Sequence, residues 1–213
     1  MDVDESLRVR ARAARAEVAS GALRGAALLD QLRAVPARDR DGWVDELLGI
    51  EPPPPDVPDL PRGAVPYLPC GVDEIVAMVG EVPLGPDDEL VDVGAGLGRV
   101  ALLAHLLSGA GARGVEIQAP LVERARRCCA ALAVTGVSFI CADAADCELD
   151  GSVFFLYAPC NGELLARVVR RIEAVARRRP IVVAAVDLEL PGAPWLRARP
   201  ASRPALMLYD TRR

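Results

Sequence analysis

The run Leu90-Val91-Asp92-Val93-Gly94-Ala95-Gly96-Leu97-Gly98-Arg99-Val100 limits this chain's fold more than any other part of it. An apolar stretch that reads as a strand enters a turn with glycine at three alternate positions, and an apolar helix-forming stretch follows. Glycine takes positive φ freely and has no Cβ, so such a turn bends sharply and can lie against a ligand. A second strand then ends in an acid, in Gly114-Val115-Glu116-Ile117. A carboxylate there can accept from both hydroxyls of a ribose, as dinucleotide folds use an acid about 20 residues past their glycines. From Gly94 to Glu116 the interval is 116 − 94 = 22 residues. The two segments together describe a nucleoside-binding crevice.

The glycine spacing narrows the choice of nucleoside. A dinucleotide fingerprint is G-x-G-x-x-G, with pyrophosphate on the helix N-terminus. Here the glycines are Gly94, Gly96 and Gly98, and Arg99 stands where the third fingerprint glycine belongs. That weakens a pyrophosphate site and places an NAD-dependent enzyme last among the readings.

These residues resemble the class I S-adenosylmethionine (SAM) dependent methyltransferases, whose first motif is acid-x-Gly-x-Gly-x-Gly. The resemblance implies that Asp92, Gly94, Ala95, Gly96 and Gly98 line the methionine portion of the cofactor and that Glu116, beside Ile117, holds the ribose. Asp143, with Ala144, falls in Ile140-Cys141-Ala142-Asp143-Ala144, where the family places an acid for the adenine amino group.

A narrower resemblance covers roughly residues 65–209. Val65-Pro66-Tyr67-Leu68-Pro69, the glycine run, Gly114-Val115-Glu116, Pro194-Trp195 and Leu208-Tyr209 are similar to the small lysine methyltransferases of ATP synthase subunit c and the adenine nucleotide translocase. These are distant relatives of the non-SET histone lysine methyltransferases. The resemblance implies that Tyr67 and Pro69 help to cover the cofactor. Ala95-Gly96-Leu97 stands where those relatives often carry Ser-Gly-Asp, and the N-terminal helical segment is not a shared membrane anchor.

At 213 residues the chain exceeds the usual single-domain size of about 100–150, and 52% hydrophobic residues supply an ample core. From residue 4 to about 34, Leu7, Val9, Ala13, Val18, Leu23, Ala27, Leu28 and Leu32 recur at three- and four-residue intervals, a helical pattern that Gly21 and Gly25 divide in two. Residues 41–48 read as a third helix with Trp43, Leu47 and Leu48 on its apolar side. The Pro-rich stretch after Glu51 reads as a stiff spacer, because proline fixes φ and cannot continue a helix. The expected division is a helical segment at 1–50, a linker at 51–64 and a methyltransferase domain at 65–213. The N-terminal helices are read first as a packing layer, with a lid over the acceptor site or a homodimer contact as alternatives.

Beyond residue 65 the chain reads as a helix ending at Gly80, then strands at 89–93, 112–116, 137–141, 152–157 and 181–186. Helices at 98–107, 120–132 and 161–178 fall between them, and 195–199 and 205–209 form a final antiparallel pair. This predicts an α/β, doubly wound, mostly parallel sheet behind a small helical N-terminal segment. Ligands of such sheets sit beyond the carboxyl ends of the strands, where Gly94, Glu116, Asp143 and Tyr157 fall.

The net charge of −5 argues against a protein built to grip nucleic acid, which needs a concentrated basic face. All 25 cationic side chains are arginine, read as GC-rich coding alongside heavy use of alanine, glycine and proline. Arg124, Arg126, Arg127 and Arg177, Arg178, Arg179 read as solvated helix ends, with a phosphate-bearing acceptor as the alternative. Cys70, Cys128, Cys129, Cys141, Cys147 and Cys160 lack C-x-x-C pairing and His105 is the sole histidine, so no metal site is predicted. No apolar run approaches the roughly 18 residues of a membrane span, and residues 1–5 are acidic where a secretory signal would be basic. Reduced thiols in a cytoplasmic protein are the expectation.

Methyl transfer from a sulfonium releases a neutral leaving group, so orientation does most of the work and acid-base equipment can be sparse. The segment Phe154-Phe155-Leu156-Tyr157-Ala158-Pro159-Cys160-Asn161-Gly162 leaves the fourth strand where the family builds its acceptor wall. Tyr157 and Ala158 replace the opening residues of the Asn/Asp-Pro-Pro-Tyr motif, which demotes nucleic-acid amino groups and glutamine as acceptors. Tyr157 and Asn161 are the catalytic candidates, with Cys160 beside them, and Tyr157 is also counted among the cofactor contacts. Pro159 and Gly162 also serve simply to turn the chain into the next helix. The leading function is SAM-dependent methylation of a protein lysine or another amine. A small-molecule O- or N-methyltransferase and a non-catalytic SAM-binding scaffold are the other two readings.

Overall fold

The computed structural model describes residues 5–190 and 192–212. Helices α1 (Glu5–Ala19), α2 (Gly25–Arg33) and α3 (Arg40–Leu48) come first, with a 3-10 turn at Ala37–Asp39. After irregular chain come α4 (Val72–Glu81), β1 (Glu89–Val93), α5 (Arg99–Ser108), β2 (Gly111–Glu116) and α6 (Ala119–Ala131). The remainder is β3 (Val137–Cys141), β4 (Val153–Tyr157), α7 (Gly162–Ala176), β5 (Val182–Val186), β6 (Leu196–Pro200) and β7 (Leu206–Thr211).

The seven strands form one sheet in the order β3-β2-β1-β4-β5-β7-β6. β1 to β5 pair in parallel, and β7 runs antiparallel to both β5 and β6. The expected doubly wound sheet with a closing antiparallel pair is the one observed. Central strands read as unbroken apolar runs because both their faces are covered. Leu90, Phe155 and Ala184 point into one apolar cluster with α4, α5 and α6, while Val91, Phe154 and Val183 point into a second with α7. Leu164, Leu165, Val168, Val169, Ile172 and Val175 make the buried stripe of α7, at the three- and four-residue spacing that a core-facing helix needs.

The first cluster continues without interruption into the N-terminal helices through Leu7, Ala11, Ala14 and Val18 of α1 and Trp43, Val44, Leu47 and Leu48 of α3. The apolar faces of these helices are therefore occupied within the chain, leaving Val9 as the large exposed hydrophobic of α1. Gly98, read as the first helical residue, instead caps α5 at φ 84°, and Arg99 opens the helix. Sequence periodicity also missed the 3-10 turn, whose three residues are too few to carry one. Among the described residues no helix is long and apolar enough to cross a membrane.

Strand order reverses between β1 and β4, so the connections leaving their carboxyl ends diverge and open a crevice there.

Candidate functional site

The glycine turn is held from behind by β2, since the amides of Gly94 and Ala95 both donate to the Val115 carbonyl, at 2.9 and 3.1 Å. Gly94 and Gly96 have φ of 79° and 53°, a region that L side chains avoid. A Cβ on Gly94 would come within 2.7 Å of Pro159 Cβ, and one on Gly96 would overlap the Tyr67 ring. The alternate glycines are thus demanded both by the backbone and by what packs on it.

Two buried acids face this turn. Glu116 Oε2 accepts from the Gly96 amide at 2.9 Å and Oε1 from the Gln118 amide at 2.9 Å, so the acid of β2 also shapes the loop. Burial pushes its pKa up, against the downward pull of the amides of Gln118, Gly96 and Ile117. Asp92 lies wholly inside at the end of β1; burial, then the neighbouring Glu116 charge, raises its pKa to about 7. The Ala101 amide in the first turn of α5 donates to it, yet Asp92 Oδ2 has no hydrogen-bond partner. An unpaired buried acceptor is costly, so such an atom signals a donor that arrives with a ligand.

Tyr67 divides the crevice in two. On one side a cleft of about 680 Å³ is lined by Gly94, Glu116, Ile117, Asp143, Ala144 and Cys160 among others. On the other, a smaller cavity of about 300 Å³ is lined by Pro69, Cys70, Asp92, Ala95, Arg99 and Phe155. Tyr67, Gly94 and Tyr157 border both. Desolvation lifts the Tyr67 phenol to about 12, so it stays neutral at any physiological pH. Asp143 Oδ1 accepts from the Ala145 amide at 2.8 Å, which fixes the turn after β3. Gly98 lines neither space; a Cβ there would overlap the Phe139 ring, so its role is to let α5 pack close to β3.

Several polar groups at the site were not assigned from sequence. Arg99 is buried and forms a two-pronged pair with Asp45 of α3, Nε to Oδ1 at 2.9 Å and Nη2 to Oδ2 at 2.6 Å, while Nη1 donates to the Cys70 carbonyl at 2.7 Å. Gln118 Nε2 donates to Asp56 Oδ1 at 2.7 Å and its Oε1 accepts from the Val57 amide at 2.9 Å. The Tyr67 amide also donates to Asp56 Oδ1, at 2.9 Å. Further along, Val65 and Asn161 amides bond to the Pro159 and Gly63 carbonyls. The Pro-rich segment and the stretch to Tyr67 therefore run along the crevice, tied at both ends. No local sequence pattern marks Gln118 and Asp56 as partners.

The end of the crevice after β4 and β5 is built differently. Tyr157 is partly exposed at the end of β4, with its pKa raised by desolvation and then by Cys70, Asp187 and Glu74. Ala158 and Asp187, which follow β4 and β5, hold φ of 37° and 48°, an uncommon conformation for residues with a Cβ. Asn161 lies exposed at the N-cap of α7, outside both cavities, and its side chain makes no capping bond. His105 is remote, its Nδ1 2.7 Å from the Ala110 carbonyl at the end of α5. Arg126 is exposed, as expected, but lies mid-helix rather than at an end, and two of its nitrogens donate to the Phe139 carbonyl at 3.1 and 2.7 Å. Among the described residues no group of three His, Cys, Asp or Glu side chains is arranged for a metal.

The chain matches no protein-family model and no curated protein sequence. Among solved structures it is similar to an RNA methyltransferase from Salinibacter ruber in complex with S-adenosyl-L-homocysteine. That match has a TM-score of 0.55 at 21% identity and covers 68% of this chain and 92% of the other. It is also similar to the putative methyltransferase yhhF from Escherichia coli, with a TM-score of 0.52 at 20% identity over 70% of this chain and 91% of the other. A third, the mitomycin 7-O-methyltransferase MmcR, has a TM-score of 0.52 at 14% identity over 66% of this chain and 53% of that one. The shared feature is the fold: a seven-stranded, mostly parallel sheet of the Rossmann-like methyltransferase type.

Proposed function

We propose that the protein is a SAM-dependent methyltransferase acting on an amine, with a protein lysine as the leading acceptor. The observation that carries this reading is Asp92, a fully buried acid whose Oδ2 lacks a donor, placed at a glycine turn whose neighbours leave no room for a Cβ. An α-ammonium supplies the missing donor, and the cofactor's amino-acid end carries one. Similar structures that bind its demethylated product or methylate diverse acceptors support the cofactor and leave the acceptor to the site itself.

In this reading Asp92, Gly94, Ala95 and Gly96 hold the amino-acid end, with Tyr67 and Pro69 over it. Glu116 and Ile117 hold the ribose, and Asp143 and Ala144 the adenine. Gly98 shapes the turn from behind. When bound, the cofactor supplies a methyl group on a cationic sulfur, which needs no metal to react. Tyr157, bordering both cavities, marks where donor and acceptor meet. Its phenol keeps its proton at neutral pH, so it can orient an amine through its oxygen and cannot remove the proton from an ammonium. Two carboxylates act on Tyr157, Asp187 and Glu74, the second already paired with Arg203. Proton loss then falls to solvent reaching the open cleft. Asn161, outside the cavities, would meet the acceptor only from the outer rim. Residues 1–50 form the packing layer, 51–64 the strap along the crevice, and 65–213 the catalytic domain.

The test is incubation with methyl-labelled SAM and fractionated lysate. Label in methyl-lysine after acid hydrolysis supports the proposal. Label confined to small molecules moves the acceptor to that class, and binding without transfer in any fraction leaves a scaffold.

A further inference from the structure

A third concavity, behind the glycine turn, is bounded by Arg15 of α1, by Gly49, Ile50 and Glu51 after α3, by Leu97 of that turn, and by Arg124, Arg127, Cys128 and Ala131 on one face of α6. It is open to solvent, with about 630 Å³ of space between its walls and the mouth. From these features we infer a binding site for a small phosphate-type anion such as pyrophosphate or a nucleotide's phosphate tail.

The reasoning begins with charge. Arg12, Arg40, Arg99, Arg167, Arg199 and Arg203 each have a carboxylate partner. Among the described residues Arg15 and Arg127 form no ion pair or hydrogen bond, and both line this one concavity. Arg124 uses one nitrogen on the Pro52 carbonyl, which sets its guanidinium at the rim and leaves further donors. The Arg15 guanidinium packs into the space a Cβ would take at Gly49, so it is confined rather than free in solvent.

The nearest backbone acceptors are already engaged. Carbonyls of Asp45 and Glu46 accept from the amides of Ile50 and Gly49, and the Gly49 carbonyl accepts from the Cys128 thiol at 3.4 Å. Guanidinium forks suit phosphate oxygens in particular, and three from two helices converge here. The excess of negative charge over the whole chain disfavours a nucleic-acid strand, which would need a longer basic track. Glu51 also lines the space and opposes an anion, so its removal has a defined sign.

The experiment is titration of the intact protein with pyrophosphate, followed by calorimetry and thermal shift at constant ionic strength. Saturable one-site binding is expected, about tenfold weaker in Arg127→Gln, and weaker again in Arg15→Gln/Arg127→Gln. Glu51→Gln should tighten it severalfold. S-adenosylhomocysteine affinity should be unchanged in all three variants, which separates this site from the crevice. Absence of saturable pyrophosphate binding, or equal binding by wild type and the double variant, overturns the assignment.

Discussion

The two ends of the crevice are built on opposite principles. At the β1–β2 end nearly every polar group has an internal partner: Glu116 holds the Gly96 and Gln118 amides, Arg99 holds Asp45 and the Cys70 carbonyl, and Gln118 holds Asp56 and the Val57 amide. Asp92 Oδ2 is the exception. At the β4–β5 end Tyr157 is partly exposed, Asn161 is exposed, and Ala158 and Asp187 hold positive φ. In the proposed reading the first end is preorganised for the cofactor and the second is left for an acceptor to complete. Preorganisation makes the cofactor end costly to disturb, whereas the acceptor end should tolerate change and show it mainly in rate.

The largest expected effect is at the rigid end. Asp45→Ala leaves the buried Arg99 cation with only the more distant Asp41 carboxylate, at 4.0 Å, and should cost about 3 kcal/mol in urea unfolding, with much of this recovered in Asp45→Ala/Arg99→Met. Full stability of the single variant would show that α3 merely rests on α5.

Asp92 supplies an effect of comparable size, through pH. Its folded pKa of about 7 lies above the ordinary 3.8, so the folded state retains a proton that the unfolded chain releases. That penalty is absent below about pH 4, grows as pH rises, and is complete above about pH 7. Asp92→Asn should therefore gain stability relative to wild type across that window, by at most about 1.4 kcal/mol per pH unit. Parallel unfolding curves for the two proteins would remove the buried acid from the account.

Glu116→Ala should weaken S-adenosylhomocysteine binding by about 10- to 100-fold, since charge-assisted hydrogen bonds to ribose and to the Gly96 amide are lost together. At the open end, Tyr157→Phe should leave cofactor affinity intact and lower kcat by less than about tenfold, the worth of one neutral hydrogen bond. A larger loss in kcat would make the phenol more than an orienting group.

The same contrast explains what could be read from sequence. β1, β3 and β7 were legible because apolar runs report local geometry, and Glu116 because an acid closes a strand about 20 residues past the glycine turn. Arg99 was read only as a missing glycine: its partner Asp45 lies 54 residues upstream, and no local pattern announces such a pair. The Pro-rich segment declared its stiffness, while its path along the crevice depends on Gln118 and Asp56, 62 residues apart. Asn161 followed from its place after β4, yet whether a residue there enters a cavity depends on how the turn before α7 is twisted.

The most direct test of the central claim is calorimetric titration of S-adenosylhomocysteine into wild type and Asp92→Asn between about pH 5.5 and 8.5. One-site binding that tightens in wild type as Asp92 ionises, and that is weaker and nearly independent of pH in the variant, is the predicted result. No uptake of that ligand at any pH, alongside firm binding of a nicotinamide dinucleotide, would contradict it.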